Sequence, residues 1–226
     1  MNAPVLFRGR GFIAVDKPAG ALVIPGRGET PAPALKAALE AALGERLWVV
    51  HRLDRDTSGV LLFALDAPTH RALNLAFESG RVEKSYLAIA RGALTEPRDV
   101  EVALVPARRG RMRPARPGEA GKPARTLFRP VESFGERATL LEAQPLTGRT
   151  HQIRVHLAAI GHPLLVDHQY GAKAPFTVDG TPVLTRTPLH AARLRLRRIE
   201  GVDDAEIVAP LPDDFARTLE ALRQGR

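Results

Sequence analysis

The sequence predicts one mixed α+β domain, and three observations carry that expectation. The chain has 226 residues, of which 44% are hydrophobic and 26% charged, close to globular averages and enough for a sizeable core. Apolar residues recur with helical spacing in some segments and alternate or run continuously in others. No internal repeat, low-complexity linker or sharp break in composition divides the chain.

Residues 11–16 form a short apolar run that ends at Lys17-Pro18-Ala19-Gly20, the pattern of a strand closed by a turn. Leu35, Leu39 and Leu43 then fall at i, i+4 and i+8 in an alanine-rich stretch, with Pro33 ahead and Gly44 just past the end, which predicts an amphipathic helix. Apolar runs at 47–50 and 60–65 read as strands flanking a polar loop, residues 51–59. Asp66 is placed to cap a helix that carries Leu73 and Phe77 on one face and stops at Gly80. A strand over 85–90 follows. From 99 to 146 the pattern is β: Val100, Val102 and Leu104 alternate, and runs at 128–134 and 138–143 flank a turn at Gly135, as in a meander. Between these strands, residues 108–129 hold eight basic side chains against one acid, Glu119, and should form an exposed, mobile basic loop. Helical spacing returns over 151–160 through Ile153, Leu157 and Ile160, with Gly161 as the stop. A strand over 189–199 and a short helix over 213–223 complete the expectation.

Charge narrows the class of partner. Against 33 Lys and Arg stand 25 Asp and Glu, a net charge of +8, which favours a polyanion and nucleic acid first. Only Lys17, Lys36, Lys84, Lys122 and Lys173 are lysines. The arginine majority suits phosphate, because the guanidinium is a planar fork. The absence of cysteine excludes disulfides, thiolate catalysis and any zinc site with sulfur ligands. No apolar run approaches the length of a membrane span and the first residues lack a signal-peptide pattern, so a cytoplasmic protein without a membrane partner is expected; the sequence carries no signal of oligomeric state, and a monomer is the default.

Two polar clusters could carry chemistry. His51-Arg52-Leu53-Asp54-Arg55-Asp56-Thr57-Ser58-Gly59 packs carboxylates, bases and hydroxyls between strands that must be buried. Its bland alternative is a solvated turn in which Asp56, Thr57 and Ser58 bond their own backbone. The second cluster, residues 147–156, opens the 151–160 helix and sets Arg154 near the polar edge of an inward face, where an arginine commonly snorkels to solvent. A metal site from His151, His156, His162 and Asp167 is disfavoured, since His151 and His156 are five apart and point to different helix faces. Gly9-Arg10-Gly11 and Gly26-Arg27-Gly28 lack a phosphate-cradling pattern and read as turns, so no nucleotide cofactor is expected.

Taken in order, His51-Arg52-Leu53-Asp54 with Thr57-Ser58-Gly59, then Lys84-Ser85-Tyr86, then the block from Gly148 to His156 resemble the three signature blocks of RluA-type RNA pseudouridine synthases. Lys17-Pro18-Ala19-Gly20, Gly161-His162-Pro163 with Asp167 and Tyr170-Gly171, and Leu189-His190-Ala191 extend the likeness from about residue 11 to 212. The resemblance implies a mixed, mainly antiparallel central sheet with flanking helices and a central cleft. It implies conversion of uridine within ribosomal or transfer RNA to pseudouridine, without cofactor or metal. Asp54 would be the catalytic carboxylate, Tyr86 the aromatic stacked on the target base, and Arg154 the ion-pair partner of Asp54. Many members carry an N-terminal RNA-binding module of the S4 type. With a first strand near residue 11, none is expected here, and the catalytic domain itself must grip RNA. The candidates for that grip are Arg52, Arg108, Arg109, Arg111, Arg113, Lys122 and Arg125, with Arg193, Arg195, Arg197 and Arg198 as a second set; Arg193, Arg195 and Arg197 alternate with Leu194 and Leu196 along a strand. The competing expectation is a non-catalytic RNA-binding or ribosome-assembly protein. A glycosidase using Asp54 and Asp56 is a poor third, because alternate residues of an extended segment point apart.

Overall fold

The computed structural model describes residues 3–25 and 34–225. Pro33 and the expected turn at Gly26-Arg27-Gly28 lie outside the described residues. In chain order the elements are β1 (Val5–Gly9), β2 (Phe12–Lys17), α1 (Leu35–Leu43), β3 (Trp48–Val49), β4 (Ser58–Ala64), α2 (Ala67–Glu78), β5 (Glu83–Arg91), β6 (Arg98–Glu101) and β7 (Leu104–Pro106). They continue with β8 (Met112–Pro114), β9 (Arg125–Ser133), β10 (Ala138–Pro145), α3 (Gln152–Ala159), β11 (Phe176–Val178), β12 (Thr181–Leu184), β13 (Leu189–Leu196), β14 (Ala205–Val208) and α4 (Asp213–Gln224). This is an α+β fold, and every strand pairing with a described register is antiparallel.

The chain forms two compact units, residues 1–84 with 191–210, and residues 85–190 with 211–226. In the first, the sheet runs β1-β2-β4-β13, with β3 paired to β4 and β14 to β13. β4 is buried along its whole length. Its continuous apolar run is that of a strand covered on both faces. The core around it joins Phe12, Ala14, Val60, Leu62, Leu73, Ala76, Leu194 and Ile207, so α2 packs its Leu73 face onto the strands. The ends of α2 follow the sequence signals: the Asp66 carboxylate accepts the Thr69 amide at 2.7 Å, and Gly80 takes φ 71° after the last turn. Gly44 likewise ends α1 with φ 68°, its amide bonding the Glu40 carbonyl.

In the second unit the sheet runs β5-β10-β9-β6, with the β9–β10 hairpin closed through Gly135 at φ 61°. One core packs Ile153 and Leu157 of α3 on Ala88, Ala90, Phe128 and Leu141. Another packs Phe215, Leu219 and Leu222 of α4 on Ile89, Leu140 and Leu184.

Several expectations need correction. The first strand is β1, beginning at Val5, not a strand near residue 11; Gly9-Arg10-Gly11 is the turn that joins it to β2. The alternation through Val100, Val102 and Leu104 is split between β6 and β7. The basic stretch 108–129 is not a loop throughout: β7 and β8 form a hairpin across Arg108–Gly110, and β9 starts at Arg125. β13 stops at Leu196, and β11, β12 and β14 had no counterpart in the sequence reading.

Candidate active site

In the first unit, the loop before β4 carries Asp54 and is fastened at several points. The His51 Nε2 accepts the Leu62 amide at 3.0 Å, and its ring stacks on Phe77, centroids 4.6 Å apart. Burial, and then the charge of Lys84, push the His51 imidazole down to about 3, consistent with a neutral ring whose Nε2 is an acceptor. Lys84, itself lowered by burial, places its ammonium 5.9 Å from the same Phe77 ring. The fully buried Lys17 donates to the carbonyls of Pro18 and Arg55, each at 2.9 Å. The Gly20 amide reaches the same Arg55 carbonyl at 2.8 Å, and the Thr57 amide closes onto the Asp54 carbonyl at 3.1 Å. The turn Lys17–Gly20 thus clamps the residue next to Asp54, which is itself half-buried.

The solvated-turn alternative does not describe Thr57. Its hydroxyl is buried with no hydrogen-bond partner among the described residues. Gly59 follows with φ 108°, and a Cβ there would lie 2.3 Å from the Ala191 carbonyl oxygen. Only glycine lets β13 approach this closely. The sequence names His51 and Lys84 only as parts of motifs; a histidine three residues before Asp54 is the one local signal, and its stacking on Phe77 is visible only in the structure.

In the second unit, Tyr86 lies half-buried on β5 opposite Ala143 of β10, against the core that contains Ile153 and Leu157. The preceding Ser85 donates to the buried Glu142 at 2.6 Å, and Glu142 is also paired with Arg129.

Arg154, on the first turn of α3, does not snorkel. It is 7% exposed, because residues 152–157 are all buried and α3 has no solvent stripe. Its Nε and Nη2 donate to the two oxygens of Asp167, both at 2.8 Å, a bidentate charge-assisted pair. Gln169 Oε1 accepts from Nη2 at 3.1 Å, and the guanidinium carbon sits 5.0 Å from the Tyr170 ring centroid. Asp167 is 0% exposed and also accepts the amides of Gln169 and Tyr170 at 2.9 and 3.1 Å. Burial pushes this carboxyl up, but the bonds and charge of Arg154 and the two amides outweigh it and hold it below the usual carboxylate range. In the sequence the only mark of this role is a lone acid, Asp167, directly after the apolar run Leu164-Leu165-Val166.

The histidines once weighed as metal ligands have other engagements. His156 bonds Thr126 Oγ1 and the Val102 carbonyl at 2.9 and 3.0 Å, and His162 bonds the Arg91 carbonyl. Among the described residues no group of three or more His, Cys, Asp or Glu is arranged to hold a metal. Nor, among them, is any helix long and apolar enough to cross a membrane.

The model of the RNA pseudouridylate synthase family matches residues 11–159, a stretch that contains the Asp54 loop, Tyr86 and Arg154. This chain belongs to that family. It is 40% identical over 227 residues to the ribosomal large subunit pseudouridine synthase D of Nitrosomonas europaea, covering 97% of this chain and 65% of the relative. To the ribosomal large subunit pseudouridine synthase C of Pasteurella multocida it is 37% identical, covering 99% of this chain and 69% of that protein. The chain therefore spans about two thirds of the length of these relatives. Among solved structures, human RNA pseudouridylate synthase domain containing 4 superposes with a TM-score of 0.76 at 26% identity, covering 97% of this chain and 92% of the other.

The basic residues of this member of the RNA pseudouridylate synthase family differ in what already neutralises them. Arg52, Arg108, Arg109, Arg111 and Lys122 are exposed. Arg113 instead forks onto Glu119, both contacts at 2.7 Å, and Arg125 onto Asp99 at 3.0 and 2.6 Å. The expected alternation of Arg193, Leu194, Arg195 and Leu196 is present on β13, but Arg193 and Arg195 both pair with Glu206 of β14. The second set of arginines thus serves in part to join two strands.

Proposed function

We propose that this chain isomerises a uridine of ribosomal large-subunit RNA to pseudouridine. The N1–C1′ glycosidic bond breaks, the base rotates, C5 bonds to C1′, and a proton is lost from C5 while N1 regains one. Asp54 is the carboxylate that acts on the nucleotide. Tyr86 stacks on the extruded base, returning roughly 1–3 kcal/mol of the few that unstacking costs. Arg154 is the guanidinium that the family motif brings to the same chemistry, a fixed positive charge that cannot lose its proton.

The observation that carries this reading is the family match across residues 11–159, which spans all three positions. The built-in fastening of each part supports it. The Asp54 loop is pinned by Lys17, Gly20 and His51, and Arg154 is aligned by a buried carboxylate that leaves it little rotamer freedom. Such prior alignment is what positions a reacting group without reorganisation during the reaction. The relatives' names point to ribosomal large-subunit RNA as the substrate. The test is chemical mapping of pseudouridine in ribosomal RNA from cells with and without this protein. Positions missing from the second map name the target, whereas identical maps would leave only an RNA-binding role.

A further inference from the structure

The β7–β8 hairpin bears three exposed arginines, Arg108, Arg109 and Arg111. Its backbone is shaped by Arg109 at φ 58° and by the Ala107 amide on the Arg111 carbonyl at 2.8 Å. Immediately after these arginines the Met112 amide donates to the Tyr170 hydroxyl at 2.7 Å. That hydroxyl also bonds His151 Nδ1 at 2.8 Å. Having accepted from Met112, it has its own hydrogen to give to the imidazole. His151 is the N-cap of α3, held at φ 55°, and Arg154 lies three residues further on. The Tyr170 ring meets the guanidinium of Arg154 at 5.0 Å, and its amide joins Asp167, the acid that grips Arg154. One side chain therefore touches the basic hairpin, the start of α3 and the Arg154–Asp167 pair.

On the RNA-modifying reading above, we propose that Tyr170 is a positioning residue that couples the arginine hairpin to Arg154. Its hydroxyl fixes the hairpin by its backbone, and its ring fixes the guanidinium. Phosphates gripped by the hairpin then act on Arg154 through a single rigid phenol. The assignment gives Tyr170 and His151 a role distinct from contact with the reacting nucleotide.

The two attachments are separable by substitution. Tyr170→Phe keeps the ring and loses one hydrogen-bonding group. It should raise the KM for structured RNA, and the Kd measured by binding alone, about 3- to 10-fold with kcat within twofold. Tyr170→Leu also removes the ring and should lower kcat by roughly 10- to 100-fold, with the phenylalanine variant serving as the conservative rescue. Arg108→Ala/Arg109→Ala/Arg111→Ala combined with Tyr170→Phe should be less damaged in kcat/KM than the product of the separate losses, since hairpin and hydroxyl act in one chain. Melting temperatures of all variants establish that each is folded. Native-like KM and Kd in Tyr170→Phe, or strictly multiplicative losses in the combined variant, would overturn the coupling. Absence of pseudouridine formation by the native protein would instead defeat the functional reading, and the Kd comparison would still decide the role of the hydroxyl.

Discussion

Replacing Asp167 by asparagine isolates the ion pair on which Arg154 depends. Both oxygens of Asp167 are occupied by Arg154, at 2.8 Å each, and one of them also receives two backbone amides. An asparagine has one acceptor oxygen. Its NH2 must face either the guanidinium or the amides, a donor against donors, while Arg154 stays buried at 7% exposure without its bidentate carboxylate. Removing one partner of a buried pair costs roughly 3–5 kcal/mol. At 2–4 °C per kcal/mol for a chain of this size, the melting temperature should fall by roughly 6–20 °C. The pH dependence follows from the sign of the shift. The Asp167 carboxyl is lowered on folding, so its contribution is complete above the ordinary value of 3.8 and is lost as pH falls through the folded value. The variant should therefore lose part of the native protein's acid sensitivity below pH 4. Replacing both partners, Arg154→Met with Asp167→Leu, should restore much of the stability, since apolar pairs of similar volume often match a buried ion pair, but should not restore pseudouridine formation. Thermal melts followed by circular dichroism from pH 3 to 7 measure the first two effects. A melting point for Asp167→Asn within about 2 °C of native at pH 7 would refute this account of the pair.

Three further outcomes are expected. The neutral His51 accepts the Leu62 amide, so its contribution to stability is complete above pH 6.5 and is lost as the pH falls toward its folded value of about 3; His51→Phe should melt lower at pH 7 but show a flatter decline between pH 6.5 and 4. Gly59→Ala, forced against the Ala191 carbonyl at positive φ, should cost about 2–5 kcal/mol in urea unfolding, and a change below 1 kcal/mol would show that β13 can retreat. Each of Arg108, Arg109 and Arg111 that meets a phosphate should reduce the slope of log K against log salt by about 0.7–0.9 when changed to alanine. Arg125→Ala, whose guanidinium is already held by Asp99, should change that slope less, and equal changes would contradict the distinction.

What was legible in the sequence follows from which signals are local. α1 and α2 were visible because Leu35, Leu39 and Leu73 mark one buried face and Gly44, Asp66 and Gly80 mark the ends. β4 was visible as an uninterrupted apolar run. β14 was not, because Ala205–Val208 is short and half exposed and gains its place through the Arg195 and Glu206 pairing to β13. The Arg154 environment was misjudged for a related reason. Periodicity assumes a helix with a wet side, whereas α3 buries His156 and Arg154 along with Ile153 and Leu157 by satisfying them with Thr126, Val102 and Asp167. Those partners are distant in sequence or recognisable only as pairs. The residues of the candidate site were named from ordered motifs, but the supports beneath them, Lys17 under Arg55 and Tyr170 under Arg154, emerge only from contacts.

The most direct measurement is single-turnover conversion of uridine in ribosomal RNA by the native protein and by Asp54→Asn, with RNA affinity recorded in parallel. Native protein should form pseudouridine, and the variant should bind RNA comparably yet convert it at least roughly 10³-fold more slowly. Equal conversion by both would contradict the assignment of the chemistry to Asp54.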